Sequence, residues 1–594
     1  MSGQSPDIEY KAIDINILKR LLVYLKPYKK WVFFATLITM LSSALSPLLP
    51  YLNKVTIDKY IEQKDTRGLI TMIIIIGVLL LLNAILRYVL TYLMQWIGQK
   101  VLYDIRVSVF SHIQSLSMKF YDTNPVGRLV TRVTNDVEGL NELFSSGVVM
   151  IVADVMLIFW IIGFMFYTNW VLSLLTLSIL PLLIIATVIF RKKVRVVFTS
   201  IRLKIAELNA FLNEFISGVS TVKLFTQEEN QNEKFAQINM KHRDLWVKTV
   251  FYYALFFPVV EMLSAVSLGI ILWYAAGNIL SGVMTVGILI AFTQYSEMFF
   301  RPIRDLTEKF TTLQSAMASA ERILGILDTK DFVSDSEDSI ELKKFDSAIE
   351  FKNVSFSYDN TKWVLNDVSF TVNKGETVAI VGATGAGKTS IINLLCRFYD
   401  FQSGEILFDG EDIRKIRQES LRRNLSLVSQ DVFLFSTSLG ENISLGNEEI
   451  SEEKMRQAAE ALGASDFIEK LQGGYNSEII DRGSTLSAGQ RQLVAFCRAY
   501  AYNPQILILD EATSNIDSET ERIIEQSLEK LLANRTSIII AHRLSTIRRA
   551  DRIIVLHKGK IRESGTHKEL LALNGIYARL YRLQFKETMP EFVA

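Results

Sequence analysis

Residues Leu69 to Leu86 read LITMIIIIGVLLLLNAIL, eighteen positions without a charge, and Trp31 to Asn53 is also uncharged. An uncharged apolar run of about 18 to 20 residues matches the hydrocarbon thickness of a bilayer and exceeds what a small soluble core needs. The pattern recurs downstream. Beyond Glu142 the chain reaches Phe190 with Asp154 as its only charge, and it breaks at Tyr167-Thr168-Asn169-Trp170. Met262 to Ser296 is uncharged as well, with breaks at Gly277-Asn278 and Ser281-Gly282. Six membrane spans are predicted, at about 31–53, 69–97, 143–167, 171–190, 250–277 and 283–300.

Their orientation follows from basic residues near the span ends. Lys19, Arg20, Lys26, Lys29 and Lys30 precede the first span, Arg191-Lys192-Lys193 follow the fourth, and the turns near 168 and 280 carry no charge. The N-terminus is therefore expected on the cytoplasmic side. The loop with Lys54, Lys59, Lys64 and Arg67 runs against this bias, although it also holds Asp58, Glu62 and Asp65. The first apolar stretch starts late and has no small-residue cleavage site, so no cleavable leader is expected. Segments 98–142 and 191–249 are polar and helix-forming, and should prolong the helices by about 30 Å at 1.5 Å per residue over roughly 20 residues.

From residue 328 the composition changes. An acidic linker, 328–348, leads into short β-rich runs alternating with helical patterns over 349–585, with a tail at 586–594. The fold class expected is an all-α six-helix transmembrane domain, 1–327, with long cytoplasmic helices, followed by an α/β P-loop domain. The mean hydropathy of +0.23 is then an average over two unlike halves. Lys+Arg 64 against Asp+Glu 63 gives no basic surface, so no nucleic-acid partner is expected. Cys396 and Cys497 cannot form a disulfide framework and read as small buried residues.

Gly382-Ala383-Thr384-Gly385-Ala386-Gly387-Lys388-Thr389 fits GxxxxGK[ST] between a β-like run, Thr377 to Val381, and a helical one from Ser390 to Arg397. Glycines admit phosphate to backbone N–H groups, Lys388 supplies a cation for the β- and γ-phosphates, and Thr389 offers a hydroxyl to Mg²⁺. A second apolar strand, Ile506 to Leu509, ends in Asp510-Glu511. At such a strand end Asp510 can reach Mg²⁺ through water while Glu511 polarises the attacking water. No Cys/His cluster has metal-ligand spacing, so Mg²⁺ is the only metal expected.

Leu486-Ser487-Ala488-Gly489-Gln490, placed between these two motifs, resembles the LSGGQ signature of the ATP-binding cassette family, and the resemblance covers almost the whole chain. It implies ATP and Mg²⁺ as cofactors, with Tyr358 stacking on adenine and Gly382 through Thr389, with Ser390, holding phosphates. It further implies that Gln430 is the Q-loop glutamine, near the metal with Thr389 and Asp510, and that Glu511, His542, Lys388 and Gln430 form the catalytic set. Ser487, Ala488, Gly489, Gln490 and the D-loop Asp517 would serve the nucleotide of a second cassette. One cassette with six spans is half of the usual transporter, so a dimer is implied, as a homodimer or as a heterodimer.

Spans fused ahead of a cassette resemble the family's exporter arrangement, of the bacterial multidrug and lipid group. The activity implied is ATP-driven export of amphipathic drug-like compounds or lipids, with a lipid or glycolipid flippase, or an ATP-gated channel, as alternatives. The place implied is a bacterial plasma membrane, with the N-terminus and cassette cytoplasmic. Phe120 to Leu129 and Gly218 to Glu228 resemble coupling elements, expected near Gln430. Within the spans Asp154, Glu261 and Glu297 either meet a cationic substrate or pair internally, for example with Arg87. Aromatic residues at Phe251 to Phe257, Tyr295, Phe299 and Phe300 either line a pocket or face lipid. Departures from the family pattern are Ala488 for a glycine, Asn515-Ile516 for Ala-Leu, and Asp481 for a glutamate.

Overall fold

The computed structural model describes residues 14–336, 338–510, 518–541 and 544–585. The chain forms two compact units, one running to Gln114 and resuming over Gly127–Thr329, the other made of Ser115–Val126 and the chain from Lys330 on.

The first unit is helical. An amphipathic α1 (Ile15–Leu22) precedes α2 (Lys29–Leu45), α3 (Leu48–Val55) and α4 (Thr66–Ser115). After two short helices, α5 (Met118–Thr123, in the second unit) and α6 (Val126–Thr131), come α7 (Val148–Thr168), α8 (Trp170–Leu177) and α9 (Leu180–Ser217). The series ends with α10 (Val219–Leu224), α11 (Glu228–Leu280) and α12 (Val286–Leu327). The 50 residues of α4 make a rod about 75 Å long at 1.5 Å per residue. The 53-residue α11 contains Pro258, which leaves the carbonyl one turn earlier without its helical donor.

Apolar side chains cover much of the outside of these helices: Phe33, Ile73, Leu81 and Trp273 are all more than half exposed. Water would not tolerate such a surface, whereas lipid tails do. Several polar groups of the bundle are matched across it. Tyr295, fully buried, donates to the Pro47 carbonyl at 3.0 Å, and Asp58 accepts from Thr285 Oγ1 at 2.8 Å and Gly287 N at 2.9 Å, closing the start of α12.

Among the described residues the second unit carries ten strands: β1 (Ala348–Phe356), β2 (Leu365–Asn373), β3 (Thr377–Val381), β4 (Ser403–Phe408), β5 (Glu411–Asp412), β6 (Leu425–Val428), β7 (Ile506–Asp510), β8 (Thr536–Ile540), β9 (Arg552–His557) and β10 (Lys560–Gly565). An antiparallel sheet has the order β2-β1-β4-β5, and a six-stranded sheet the order β10-β9-β3-β8-β7-β6, parallel throughout except at β10. Alternate residues of the central strands serve opposite cores. Leu507, Leu509 and Ile539 enter one, with the buried Cys497, while Ile506, Ile508 and Ile538 enter the other, with Cys396. Burial on both faces explains why these strands read as continuous apolar runs.

Candidate nucleotide site

β3 ends at Val381 and the chain turns at once into the glycine loop and then the helix α13 (Lys388–Leu395). Two of the glycines are sterically required. A Cβ at Gly382 would stand 2.2 Å from the Leu556 carbonyl oxygen on β9, and Gly387, at φ +105°, would place one 2.7 Å from Leu365 Cδ2. Left-handed backbone at the cap of α13 turns the first amides of the helix toward the loop, where a helix start favours an anion.

Lys388 lies within this loop. Its buried Nζ donates to the carbonyls of Gly382 at 2.8 Å and Ala383 at 3.2 Å. Burial pushes its ammonium below the ordinary lysine range, against the opposing pull of the Asp510 carboxylate. Ala383, Thr384, Gly385 and Thr389 are exposed, whereas Ala386 and Ser390 are buried.

Strand register brings the other candidates to the same rim. Ile380 of β3 and Asp510 of β7 both pair with Ile540 of β8, and Leu509 pairs with Val428 of β6. Gly382 follows Ile380 by two residues and the exposed Gln430 follows Val428 by two, so the loop, Asp510 and Gln430 share the carboxyl edge of one parallel sheet. That edge is where open α/β sheets bind ligands. Glu511, Asp517 and His542 lie outside the described residues.

Tyr358 is half-buried beside the loop. Its hydroxyl meets Ser390 Oγ at 3.0 Å and accepts from Asn393 Nδ2 at 3.1 Å, and its ring meets Phe356 and Tyr399 edge-on, at 4.7 and 5.0 Å between centroids. Tyr399 had not been singled out, and no local pattern marks it. Its hydroxyl donates to the Asp122 carboxylate, and Ser117 N donates to the Asp331 carbonyl at 2.8 Å. Burial, then Asp122, pushes the Tyr399 phenol above its ordinary range. The segment Ser115–Val126 thus meets the rest of the α/β unit at the Tyr358–Tyr399 edge.

The signature residues start a separate helix, Ala488–Tyr502. Ser487 Oγ accepts from Gln490 N at 3.2 Å and Gln490 Oε1 from Ser487 N at 2.9 Å, a complete capping box. Ser487 and Ala488 are exposed, while Gly489 is buried.

Two family descriptions match the chain: ABC transporter transmembrane region over residues 32–303, and ABC transporter over residues 365–514. The chain is 41% identical over 98% of its length, and 96% of the relative's, to the uncharacterized ABC transporter ATP-binding protein YknV of Bacillus subtilis. The chain belongs to the ATP-binding cassette transporters. Other relatives of this transporter are an ATP-dependent lipid A-core flippase of Syntrophus aciditrophicus (37% identical, 96% of this chain and 95% of the relative) and the putative multidrug export ATP-binding/permease protein YgaD of Bacillus subtilis (35%, 96% and 100%). The transporter is an exporter half-transporter and a multi-pass membrane protein, and its nucleotide-binding cassette is an ATPase coupled to transport. One membrane region and one cassette per chain imply a dimer.

In the transporter's helical unit Glu261, Glu297 and Arg87 are exposed and Asp154 is half-buried. The span aromatics do not gather into one pocket. Tyr295 and Phe299 belong to one buried cluster and Phe256 and Phe300 to another, where Phe190 stacks on Phe256 at 4.1 Å. On α10 and beyond, Leu224 and Phe225 are 78% and 66% exposed.

Proposed function

We propose that this chain dimerises and moves amphipathic molecules, drug-like compounds or lipids, out of the cytoplasm or inner leaflet, with ATP closing two cassettes head to tail. The observation that carries the reading is the convergence of the glycine loop, Asp510 and Gln430 on one sheet edge, in a chain whose helices turn apolar side chains outward. Relatives named for lipid A-core flipping and for multidrug export support both substrate classes. We read the six helical stretches as six spans, residues 1–327 as the membrane domain, 328–348 as linker and 349–585 as the ATPase. The basic residues before α2 and after α9 support a cytoplasmic N-terminus and cassette in a bacterial plasma membrane.

Within the site, the α13 amides and Lys388 would bind the phosphates, Tyr358 and its ring partners would fix the base, and Glu511 would orient the attacking water, assisted by Gln430 and His542. The donors near the loop, the exposed Thr389 hydroxyl and the Asp510 carboxylate, are hard oxygens. Among the described residues no group of three or more His, Cys, Asp or Glu could hold a metal alone. That set fits Mg²⁺, which keeps most of its shell as phosphate oxygens and water. When bound, the ion neutralises charge on the β- and γ-phosphates. Ser487, Ala488, Gly489, Gln490 and Asp517 would complete the site of the facing cassette, so ATP binds the closed dimer better than the open one, and only such a difference can drive a conformational change.

A homodimer is sufficient, because every catalytic element is present in this chain. The test is the purified chain reconstituted alone in vesicles. ATP-dependent accumulation of an amphipathic dye, or flipping of a labelled lipid, is expected and should vanish in Glu511→Gln. Passive ion flux that persists in that variant would sink the export reading in favour of a gated channel, and no ATP turnover by the chain alone would point to a heterodimer.

A further inference from the structure

The leading helix encloses a cavity whose lining reaches Val152, two residues before Asp154, and which lies far in sequence from Glu261 and Glu297. Leu18, Leu21 and Leu22 of α1 face Met94 and Ile97 of α4 and Phe144 across about 230 Å³. Leu21 and Ile97 are each 1% exposed, while Leu22, at 40%, and Thr36 lie on the open side. The two threonines in the wall have their hydroxyls turned away. Thr36 Oγ1 donates to the Val32 carbonyl at 2.9 Å and Thr39 Oγ1 to the Ala35 carbonyl at 2.8 Å. Methyl groups therefore form that wall. A buried water requires two to four polar partners, and apolar cavities of about 150 Å³ stay dry and accept small hydrocarbons. This space is larger and equally apolar, and its open side lies in a membrane-embedded unit, where the surrounding solvent is acyl chains.

The chain that leads into one wall of the cavity is basic. Val32, Thr36 and Thr39 line it at helical spacing, and Lys29, three residues before Val32, stands at the polar end of the same stripe. Lys26 and Lys30 flank it, exposed, and no acidic residue occurs between Asp14 and Asp58. Acids on other elements near this region are engaged: Asp104 accepts from Tyr28 at 2.9 Å, Asp328 takes Arg20 through two bonds of 2.6 and 2.7 Å, and Glu142 and Asp154, beside the lining Leu143 and Val152, have partners of their own. Tyr28 and Trp31 pack edge-on against Trp96, at 6.1 and 5.6 Å, an aromatic group of the kind found at headgroup depth.

We propose that this cavity holds one acyl chain of an anionic phospholipid whose phosphate rests against Lys26, Lys29 and Lys30. The proposal needs only the membrane embedding of the helical unit and is independent of the cargo. The Arg20–Asp328 pair ties α1 to the residue that ends α12, holding the wall of the cavity in place.

The test is native mass spectrometry of the full chain, taken from vesicles of equal phosphatidylglycerol and phosphatidylcholine and washed with detergent until annular lipid is gone. One phosphatidylglycerol per chain should survive the wash. Thr36→Trp, which plugs the open side, should lower its retention about tenfold, Thr36→Ala should leave it unchanged, and Lys29→Gln with Lys30→Gln should remove the preference over phosphatidylcholine. ATP turnover in the same samples reports that each variant is folded. Undiminished retention in a folded Thr36→Trp, a headgroup preference that survives the lysine changes, or detergent alone in the wild-type cavity would each overturn the proposal. Failure of dye or lipid transport in every sample would count against the exporter substrates without altering this lipid count.

Discussion

Two helices of the cassette begin in opposite ways. α13 starts at Gly387, a left-handed residue with no side chain to cap it, whereas the signature helix starts at Ser487 inside a closed capping box. The first start leaves its amides for an outside anion. The second satisfies its own amides, and yet it leaves something over, because the Ser487 hydroxyl accepts through its lone pair and keeps its proton to donate. Under the proposed function, one helix start would offer main chain to a nucleotide in its own cassette, while the other would hold one hydroxyl in a fixed direction for a facing one. Affinity and closure can therefore be altered separately.

The largest break in this comparison is expected from Lys388→Met, which removes the loop's cation. ATP turnover should fall about 100-fold or more while the fold survives, since the loop carbonyls that Lys388 holds can turn to water. Turnover within a few fold of wild type would contradict the assignment. Gly387→Ala attacks the same helix start through the backbone. A β-carbon at φ +105° should destabilise the cassette by about 1 to 3 kcal/mol, read as a lower urea midpoint at unchanged slope.

At the signature helix the cap and the contact can be separated. Ser487→Ala should lose about 1 kcal/mol of stability together with turnover. Ser487→Asp keeps a good cap but sets a negative charge toward phosphate, so stability should hold while turnover falls about tenfold. If Ser487→Asp turns over ATP normally, the signature does not meet a nucleotide. The smallest effect should come from the cysteines. Burial pushes the thiols of Cys396 and Cys497 up to about 12, so little thiolate, the reactive form, exists at pH 8. A maleimide should label neither until the cassette is unfolded in urea.

The sequence conveyed the cassette's chemistry because it is local there. Strand, glycine loop and helix follow within twenty residues, and register carries Asp510 and Gln430 to the same edge with no further information. Tyr399 stayed hidden because its partners, Tyr358 and Asp122, lie 41 and 277 positions away. In the helical unit the apolar runs coincide with helices, but their interruptions were not legible. Breaks at Ser46-Pro47 and Ser178-Ile179 fall within the first and fourth predicted spans, and Thr56–Ile61 widens into a π-helical turn. Such distortions depend on what packs opposite, as in Asp58 closing the start of α12 from 229 residues away. Glu511, Asp517 and His542 remain arguments from sequence order.

The length of α4 has a mechanical meaning. A continuous helix of about 75 Å acts as a lever, so a tilt of roughly 5° at one end displaces the other by about 6 Å. No proline interrupts it, whereas Pro258 gives α11 a point at which to bend. Within one unit, an uninterrupted arm and one with a proline joint allow a small angular change to become a displacement larger than a side chain.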